Sequence, residues 1–425
     1  MQNTQLKSSN GVAMRIAIIG AGLSGLTAAN SLKEYADVTI FEKYKEGGLA
    51  ASYKNEEKDY WIEKFYHHCF RGDDALLKMI KKFKLSNKLV WKIARTGFAF
   101  EGKIYPLNTP FEILRYPFLS FFDKIRLALF TISSKKKNYR EFDDYGVIEG
   151  IRDELGDKLL DEFFMPLLKS KFGENYSRVS YAWLLARVSI RSNRKYSGEE
   201  LGYLRNGFQQ LIERMAGEVE IEYSSPKISK NARFSINGKD YDAVIYTAPL
   251  PLLSDEVRYA ANIPRIDYQS SVCALIGANG KITEDIYWTN IKDASVFGAI
   301  IEHTNFMPRE DYGEDLIYLA SYSTPDSELF NAPEEELKKL YLKELKRYGF
   351  KEENINWIKI FKAKYSGPIF EKAYLKKVTE YRTSLENFYI AGMTSPPNYP
   401  ERSMNGSIKA GLEVAEVVKR DFGFA

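Results

Sequence analysis

Three groups of residues in this chain have types and spacings suited to chemistry. The first is Gly20, Gly22 and Gly25 in the order G-x-G-x-x-G, with Glu42 following 22 residues after Gly20. Glycines so placed allow a tight turn, a close approach of backbone to a pyrophosphate, and close packing of the next helix. A carboxylate at Glu42 accepts hydrogen bonds from an adenosine ribose and repels a 2′-phosphate. The second group is Tyr66, His67 and His68, which holds two of the three histidines. An imidazole there can act as a base or orient a substrate, or simply be a satisfied core histidine. The third is Arg187 and Arg191, four apart and therefore on one helical face, able to grip an anion or to carry surface charge. His67, His68 and Cys69 are consecutive and cannot easily face one metal. The two cysteines, Cys69 and Cys273, are isolated, so neither a metal site nor a disulfide is expected.

The elements that would hold these groups follow from pattern. Arg15–Ile19 is a short apolar run suited to a buried parallel strand, helical periodicity begins at about Leu23, and Asp37–Phe41 reads as the next strand. Strand, glycine turn, helix, strand and acidic residue in that order predict dinucleotide binding. Gly47–Gly48 then marks a turn whose amides can reach a phosphate. Ala75–Phe83 is an amphipathic helix, and residues 90–105 form short strands. Phe118–Ile132 reads as one apolar helix running into Lys135–Lys137, either a core helix with a solvated end or a surface for membrane or lipid. Glu149–Leu155 and Leu159–Lys169 read as two helices separated by Gly156, and Pro166 suggests a kink or a break in the second. Asn237–Gly238 is a hairpin turn, the 241–247 run a buried strand, and Trp357–Tyr365 a strand followed by a turn at Ser366–Pro368. His303 is expected to stabilise a sheet edge. Near the end, a short strand over 387–391 stops at Gly392, an irregular loop covers Met393–Arg402, and a helix covers Ser407–Arg420. A strand, loop and helix there can return backbone amides to a dinucleotide.

Composition sets limits. With 425 residues the chain is long enough for two domains, and its 44% apolar and 28% charged content is that of a globular protein. A net charge of +4 gives no independent case for nucleic acid. No run approaches the roughly 20 apolar residues needed to span a bilayer, and a cytoplasmic location is the expectation. Residues 1–13 are polar and read as a flexible extension, with Met14 a candidate start. The 26 Phe, 29 Tyr and 5 Trp suit a large amphipathic pocket as well as an ordinary core.

Three stretches, GAGLSGLTAANSL, EKYKEGGLAAS and YIAGMTSPPNYPERSMNGSIKAG, together resemble the FAD-dependent amine oxidase and protoporphyrinogen oxidase superfamily. That superfamily includes phytoene desaturases and, more distantly, UDP-galactopyranose mutase. The resemblance covers nearly the whole chain. It implies an α/β fold, α+β overall: a Rossmann-like FAD-binding domain from residues 14–80, 200–255 and 380–425, and a substrate domain of mixed sheet and helices from 81–199 and 256–379. It further implies that Gly20, Gly22 and Gly25, with Leu23 and Ser24 at the helix start, line the FAD pyrophosphate. Glu42, with Lys43 beside it, would take the adenine ribose, and Gly47, Gly48 and Leu49 would pass near the phosphates and flavin. The strand around Val219–Tyr223, or Ile228, would touch the adenine. Gly392, Met393 and the segment Met404, Asn405, Gly406, Ser407 and Ile408 would bracket the ribityl chain and the flavin pyrimidine edge, where a helix N-terminus stabilises an anionic reduced flavin.

Two departures stand out. Leu49 replaces the arginine of the usual Gly-Gly-Arg, and Met393 replaces the aspartate of the usual Gly-Asp. The expected reaction is hydride transfer from a C–H or N–H bond of a small-molecule substrate to flavin N5. His67 and His68 are the catalytic candidates, and Tyr66, Tyr105, Arg187, Arg191, Tyr365, Tyr399 and Arg402 the substrate-binding ones. The alternatives are a mutase-like isomerase acting on a nucleotide sugar, an isoprenoid or carotenoid desaturase with a lipidic substrate, and a non-enzymatic flavin scaffold. Peripheral membrane contact and a homodimer are left open as partners; nucleic acid is not expected.

Overall fold

A computed structural model describes residues 14–190 and 198–424, so the 1–13 extension and Arg191 lie outside the described residues. The first glycine group sits at one end of a five-stranded parallel sheet. From edge to edge its strands are Phe388–Ile390, Ala243–Tyr246, Arg15–Ile19, Asp37–Glu42 and Glu220–Tyr223. The central Arg15–Ile19 strand is buried on both faces, which is why it reads as a continuous apolar run rather than an alternating one. Gly20 ends it with φ +105, a conformation that L side chains rarely adopt, and its N–H donates to Phe41 O at 2.8 Å.

The helix Leu23–Leu32 then packs against the C-terminal helix Met404–Asp421. Their axes come close because Gly411 carries no side chain: a Cβ there would lie 2.4 Å from Ser24 O. Ser24 Oγ donates to Ser407 O at 2.8 Å, tying the two helix starts together across 383 residues of sequence.

A second, seven-stranded sheet is mixed. Its order is Ile355–Pro368, Tyr268–Ala278, Asp315–Ser323, Ala299–Glu302, Trp288–Ile291, Thr96–Phe100 and Lys103–Pro106. Only Trp288–Ile291 with Thr96–Phe100 pairs in parallel; its other neighbours are antiparallel. Tyr268–Ala278 is buried along its whole length between two partners. Helices between Pro110 and Ile190 form a layer beside this sheet, and Leu89–Ala94 pairs antiparallel with Glu199–Leu204 on either side of that stretch of chain.

Several expectations are corrected. The apolar helix expected over Phe118–Ile132 is a single helix that starts later, Phe121–Ser134, and a separate short helix, Pro110–Arg115, precedes it. Pro117 cannot continue the short helix, and Ser120 starts the longer one through a capping box in which its hydroxyl accepts from Asp123 N. The turn expected at Ser366–Pro368 is instead the end of the long edge strand, where Gly367 and Pro368 pair with Gln269 and Tyr268. His303 does not stabilise a sheet edge. It is buried among Tyr203, Tyr312 and Tyr318, with Nε2 2.7 Å from the Tyr312 hydroxyl, and burial pushes its imidazole down to about 3.

Candidate functional site

The glycine cradle is built as a phosphate site requires. The helix Leu23–Leu32 starts after Gly22, and no side chain caps its first N–H groups. A Cβ on Gly22 would meet nothing within 4 Å, whereas one on Gly25 would lie 2.0 Å from Gly20 O. Gly25 is therefore a packing glycine, and Gly22 borders open space. Across that space stands Gly48, 3.6 Å from Gly22 Cα as measured from its own would-be Cβ. Uncapped donors at a helix start facing a gap between two glycines fit a pyrophosphate.

Glu42 lies at the carboxyl end of its strand. Its two oxygens accept from Ala21 N at 2.8 Å and Tyr44 N at 3.0 Å, and each keeps a second lone pair for a ribose hydroxyl. Lys43 is exposed and lies over the Tyr44 ring. Val219 is placed differently from the expectation. Parallel strands bind ligands at their carboxyl ends, where Glu42 pairs in register with Tyr223. Val219 precedes the other end of that strand, roughly 13 Å away. Tyr223, whose hydroxyl donates to Glu46 at 2.8 Å, is the residue beside Glu42.

The second glycine segment is pinned from behind. Asn398 Nδ2 donates to Gly392 O at 2.8 Å, and Ser403 caps the C-terminal helix by accepting from Gly406 N at 2.9 Å. Asn405 has a role no sequence pattern announced. Its Oδ1 accepts from Ala75 N at 2.9 Å and Leu76 N at 3.1 Å, at the start of the helix Asp74–Lys82. Ile408 is wholly buried, while Met393 is half-buried against the core.

A cavity of about 1450 Å³ runs from Leu49, Met404 and Asn405 into the space between the seven-stranded sheet and the helical layer. Ordinary small-molecule sites measure about 300–1,000 Å³, so this one has room for a cofactor ring system and a sizeable substrate together. Phe98, Tyr116, Phe163, Trp183 and Trp288 are among the aromatic side chains in its wall. Tyr66, His67, His68, Arg187, Tyr399 and Arg402 all reach it. Tyr105 and Tyr365 are not among its lining residues. Tyr105 packs edge-on against Tyr116 and Phe118, and Tyr365 packs edge-on against Tyr268 in a smaller pocket.

One end of the cavity is polar and positive. The Tyr66 and Tyr322 hydroxyls lie 2.8 Å apart, and Lys171 Nζ donates to Tyr322 Oη at 3.3 Å. Burial would raise the Tyr322 phenol, but the Lys171 ammonium, the Arg402 guanidinium and the hydrogen bonds from Tyr66 and Lys171 outweigh it and hold the group below the usual tyrosine range. Burial raises Tyr66 and lowers Lys171. Neither Lys171 nor Tyr322 was named from sequence.

His67 Nδ1 is 2.5 Å from Phe65 O, a pure acceptor, so the proton sits on Nδ1 and Nε2 is left as an acceptor. Burial and then the Arg402 charge push this imidazole down to about 4, which makes it a weak base. His68 Nδ1 lies 3.3 Å from the Tyr287 hydroxyl, its ring edge-on to Phe70. Arg187 is ion-paired with Glu401 and lies over the Trp183 ring.

Known proteins resemble this arrangement. The chain is 28% identical over 176 residues to the 15-cis-phytoene desaturase of Synechococcus elongatus, a match spanning 37% of each chain. The chain spans less than half the length of the curated relatives it matches. A solved structure from Exiguobacterium sp., assigned as a protoporphyrinogen oxidase, superposes with a TM-score of 0.75 at 17% identity, covering 98% of this chain and 100% of that one. Reduced UDP-galactopyranose mutase superposes at 0.73 with 17% identity over 97% and 96% of the two chains. These likenesses establish the fold. Residues 23–419 match the family described as flavin containing amine oxidoreductase, and the chain belongs to that family.

Proposed function

We propose that this protein oxidises a large, mainly apolar small molecule, held in the aromatic cavity with its reacting bond toward the start of the C-terminal helix. The observation that carries this reading is continuity: Leu49, Met404 and Asn405 line the same cavity as Phe98, Tyr116, Phe163 and Trp183. Residues 14–80, 200–255 and 380–425 would hold the cofactor, with Gly20, Gly22, Leu23, Ser24, Gly25, Gly47 and Gly48 at the pyrophosphate and Glu42 at the ribose. Bound FAD supplies the acceptor for a hydride equivalent.

The chain's own residues do the rest. Aromatic walls orient the substrate and exclude water, which strengthens every charge interaction at the polar end. Tyr322 Oη is the group that takes up or returns a proton. Lys171 and Arg402 stabilise its phenolate, and the Tyr66 hydroxyl keeps it aligned. His67, neutral, presents Nε2 as an acceptor for a substrate N–H or O–H. The test is to purify the yellow protein and follow anaerobic bleaching of its flavin with amines, porphyrinogens, polyprenyls and nucleotide sugars. Bleaching by an apolar polycyclic or polyprenyl compound is the expected result. A protein without flavin, or one bleached only by small polar amines, would refute the reading.

A second reading draws on the cluster of Lys171 and Arg402 around Tyr322. Cations and phenols at one end of a cavity also suit a diphosphate, as in a nucleotide sugar. Tight binding of a UDP-sugar by the dithionite-reduced protein would favour that mutase-like role.

A further inference from the structure

The helix Phe121–Ser134 is inside out for a surface helix. Phe121, Phe122, Ile125, Leu129 and Ile132 recur at helical spacing within one stripe about 100° wide, where a solvated helix carries polar residues. All five are exposed, Phe122 at 80% and Phe121 at 62%. Phe130, on the opposite side, is the buried one, edge-on to Phe164. Phe111 and Leu114, on the preceding helix, extend the same apolar field. Half of the fourteen exposed large hydrophobic side chains among the described residues fall between residues 111 and 132. A concentration of this kind marks an interaction surface.

Charge identifies what it meets. Residues 110–137 contain six basic and two acidic side chains. Both acids are occupied: Glu112 and Asp123 close the capping boxes of their helices. Lys135 and Lys136 stand exposed just past the apolar stripe, and Arg115 is exposed at the end of the first helix. A second copy of this chain would bring the same positive rim against itself, which like charges oppose. An apolar face with a basic rim instead complements the boundary of an anionic lipid leaflet. The face is also a doorway. Ile113, Leu114, Ile125 and Ile132 line the cavity as well as bordering the exposed stripe, so a protein seated here would close the entrance, whereas a bilayer would feed it.

We infer that the helices Pro110–Arg115 and Phe121–Ser134 seat the protein on an anionic membrane surface, and that the substrate enters the cavity from the lipid phase. The second half of this statement rests on the apolar-substrate reading above; the first does not. Among the described residues no helix is long and apolar enough to cross a membrane, so the contact is with one leaflet.

The test is flotation of the flavin-loaded full chain with phosphatidylcholine vesicles, with and without phosphatidylglycerol. The protein should float with the anionic vesicles, and less so in high salt. Phe121→Asp with Phe122→Asp should weaken vesicle affinity about tenfold or more per phenylalanine, with bound flavin and melting temperature unchanged. Arg115→Glu with Lys136→Glu should abolish the preference for phosphatidylglycerol. Failure of the wild type to float, equal flotation of the phenylalanine variant, or a dimer in solution that the same variant dissociates would each overturn the docking surface. Flotation together with bleaching by a water-soluble substrate in vesicle-free buffer would leave docking intact and refute delivery from lipid.

Discussion

The phenolic oxygens of Tyr66 and Tyr322 meet at 2.8 Å although 256 residues separate them in the chain. Only Tyr322 also receives the Lys171 ammonium, at 3.3 Å, so the pair is asymmetric: one phenol is pushed toward ionisation and the other away from it.

Tyr322→Phe should therefore lower turnover by roughly 10²–10⁴-fold and remove an ionisation from the pH–rate profile that lies below the ordinary tyrosine value. Activity in the wild type should rise with pH through that ionisation. Lys171→Met should keep the limb but move it to higher pH, because the phenolate loses its nearest cation. Steady-state kinetics across pH check both, and an unchanged profile in Tyr322→Phe would remove this residue from the reaction.

Gly22 and Gly25 should separate cofactor binding from folding. Gly22→Ala adds a methyl group into open space at a helix N-cap, so the apoprotein should lose no more than about 1 kcal/mol while flavin content falls tenfold or more. Gly25→Ala drives a methyl group against Gly20 O and should cost about 1–3 kcal/mol in the apoprotein itself. Flavin released on denaturation, read beside the apoprotein melting curve, distinguishes the two.

Asn405→Ala should destabilise the protein by about 1 kcal/mol, since its carboxamide caps a helix that belongs to another part of the chain. The local signature is faster hydrogen exchange at the Ala75 and Leu76 amides. Asn405→Asp, which retains an acceptor oxygen, should restore slow exchange.

His303 sets a pH dependence of stability. Its folded value of about 3 lies below the unfolded 6.5, so the unfolded chain binds the proton first as pH falls, and stability is lost below pH 6.5. By pH 5 that loss amounts to about 2 kcal/mol from this one residue. Glu302 works in the other direction, because burial holds its carboxyl up to about 7 and favours folding as it protonates. His303→Phe should accordingly gain stability relative to wild type between pH 7 and pH 5; denaturant midpoints at the two values measure it.

The parts legible from sequence are those governed by local rules. A strand ending in a positive-φ glycine, an uncapped helix start and an acidic strand terminus are each written into consecutive residues, and Gly20 to Glu42 could be read without a fold. Tyr322 could not. It is one of 29 tyrosines, and its special place comes from a helix that sets Lys171 beside it, a juxtaposition no spacing encodes. Tyr105 and Tyr365 were drawn from the same pool, and packing sent both elsewhere. For the strand expected over Val219–Tyr223 the direction was legible too: parallel strands bind ligands at their carboxyl ends, and that rule favours Tyr223, in register with Glu42, over Val219. Lys135–Lys137 left the apolar helix before them undecided between core and surface, because composition does not say which side of a helix faces in.

Ala94 lies directly opposite Glu199 in the paired strands Leu89–Ala94 and Glu199–Leu204. The chain therefore leaves for the cavity wall and comes back at nearly the same point, like a loop of thread tied at one knot. The doorway helices Pro110–Arg115 and Phe121–Ser134 lie inside that loop and can be exchanged for others of different length, provided Thr96–Phe100 and Lys103–Pro106 keep their places in the seven-stranded sheet. Grafting those helices from a relative with another substrate would transplant the entrance and leave the glycine cradle untouched.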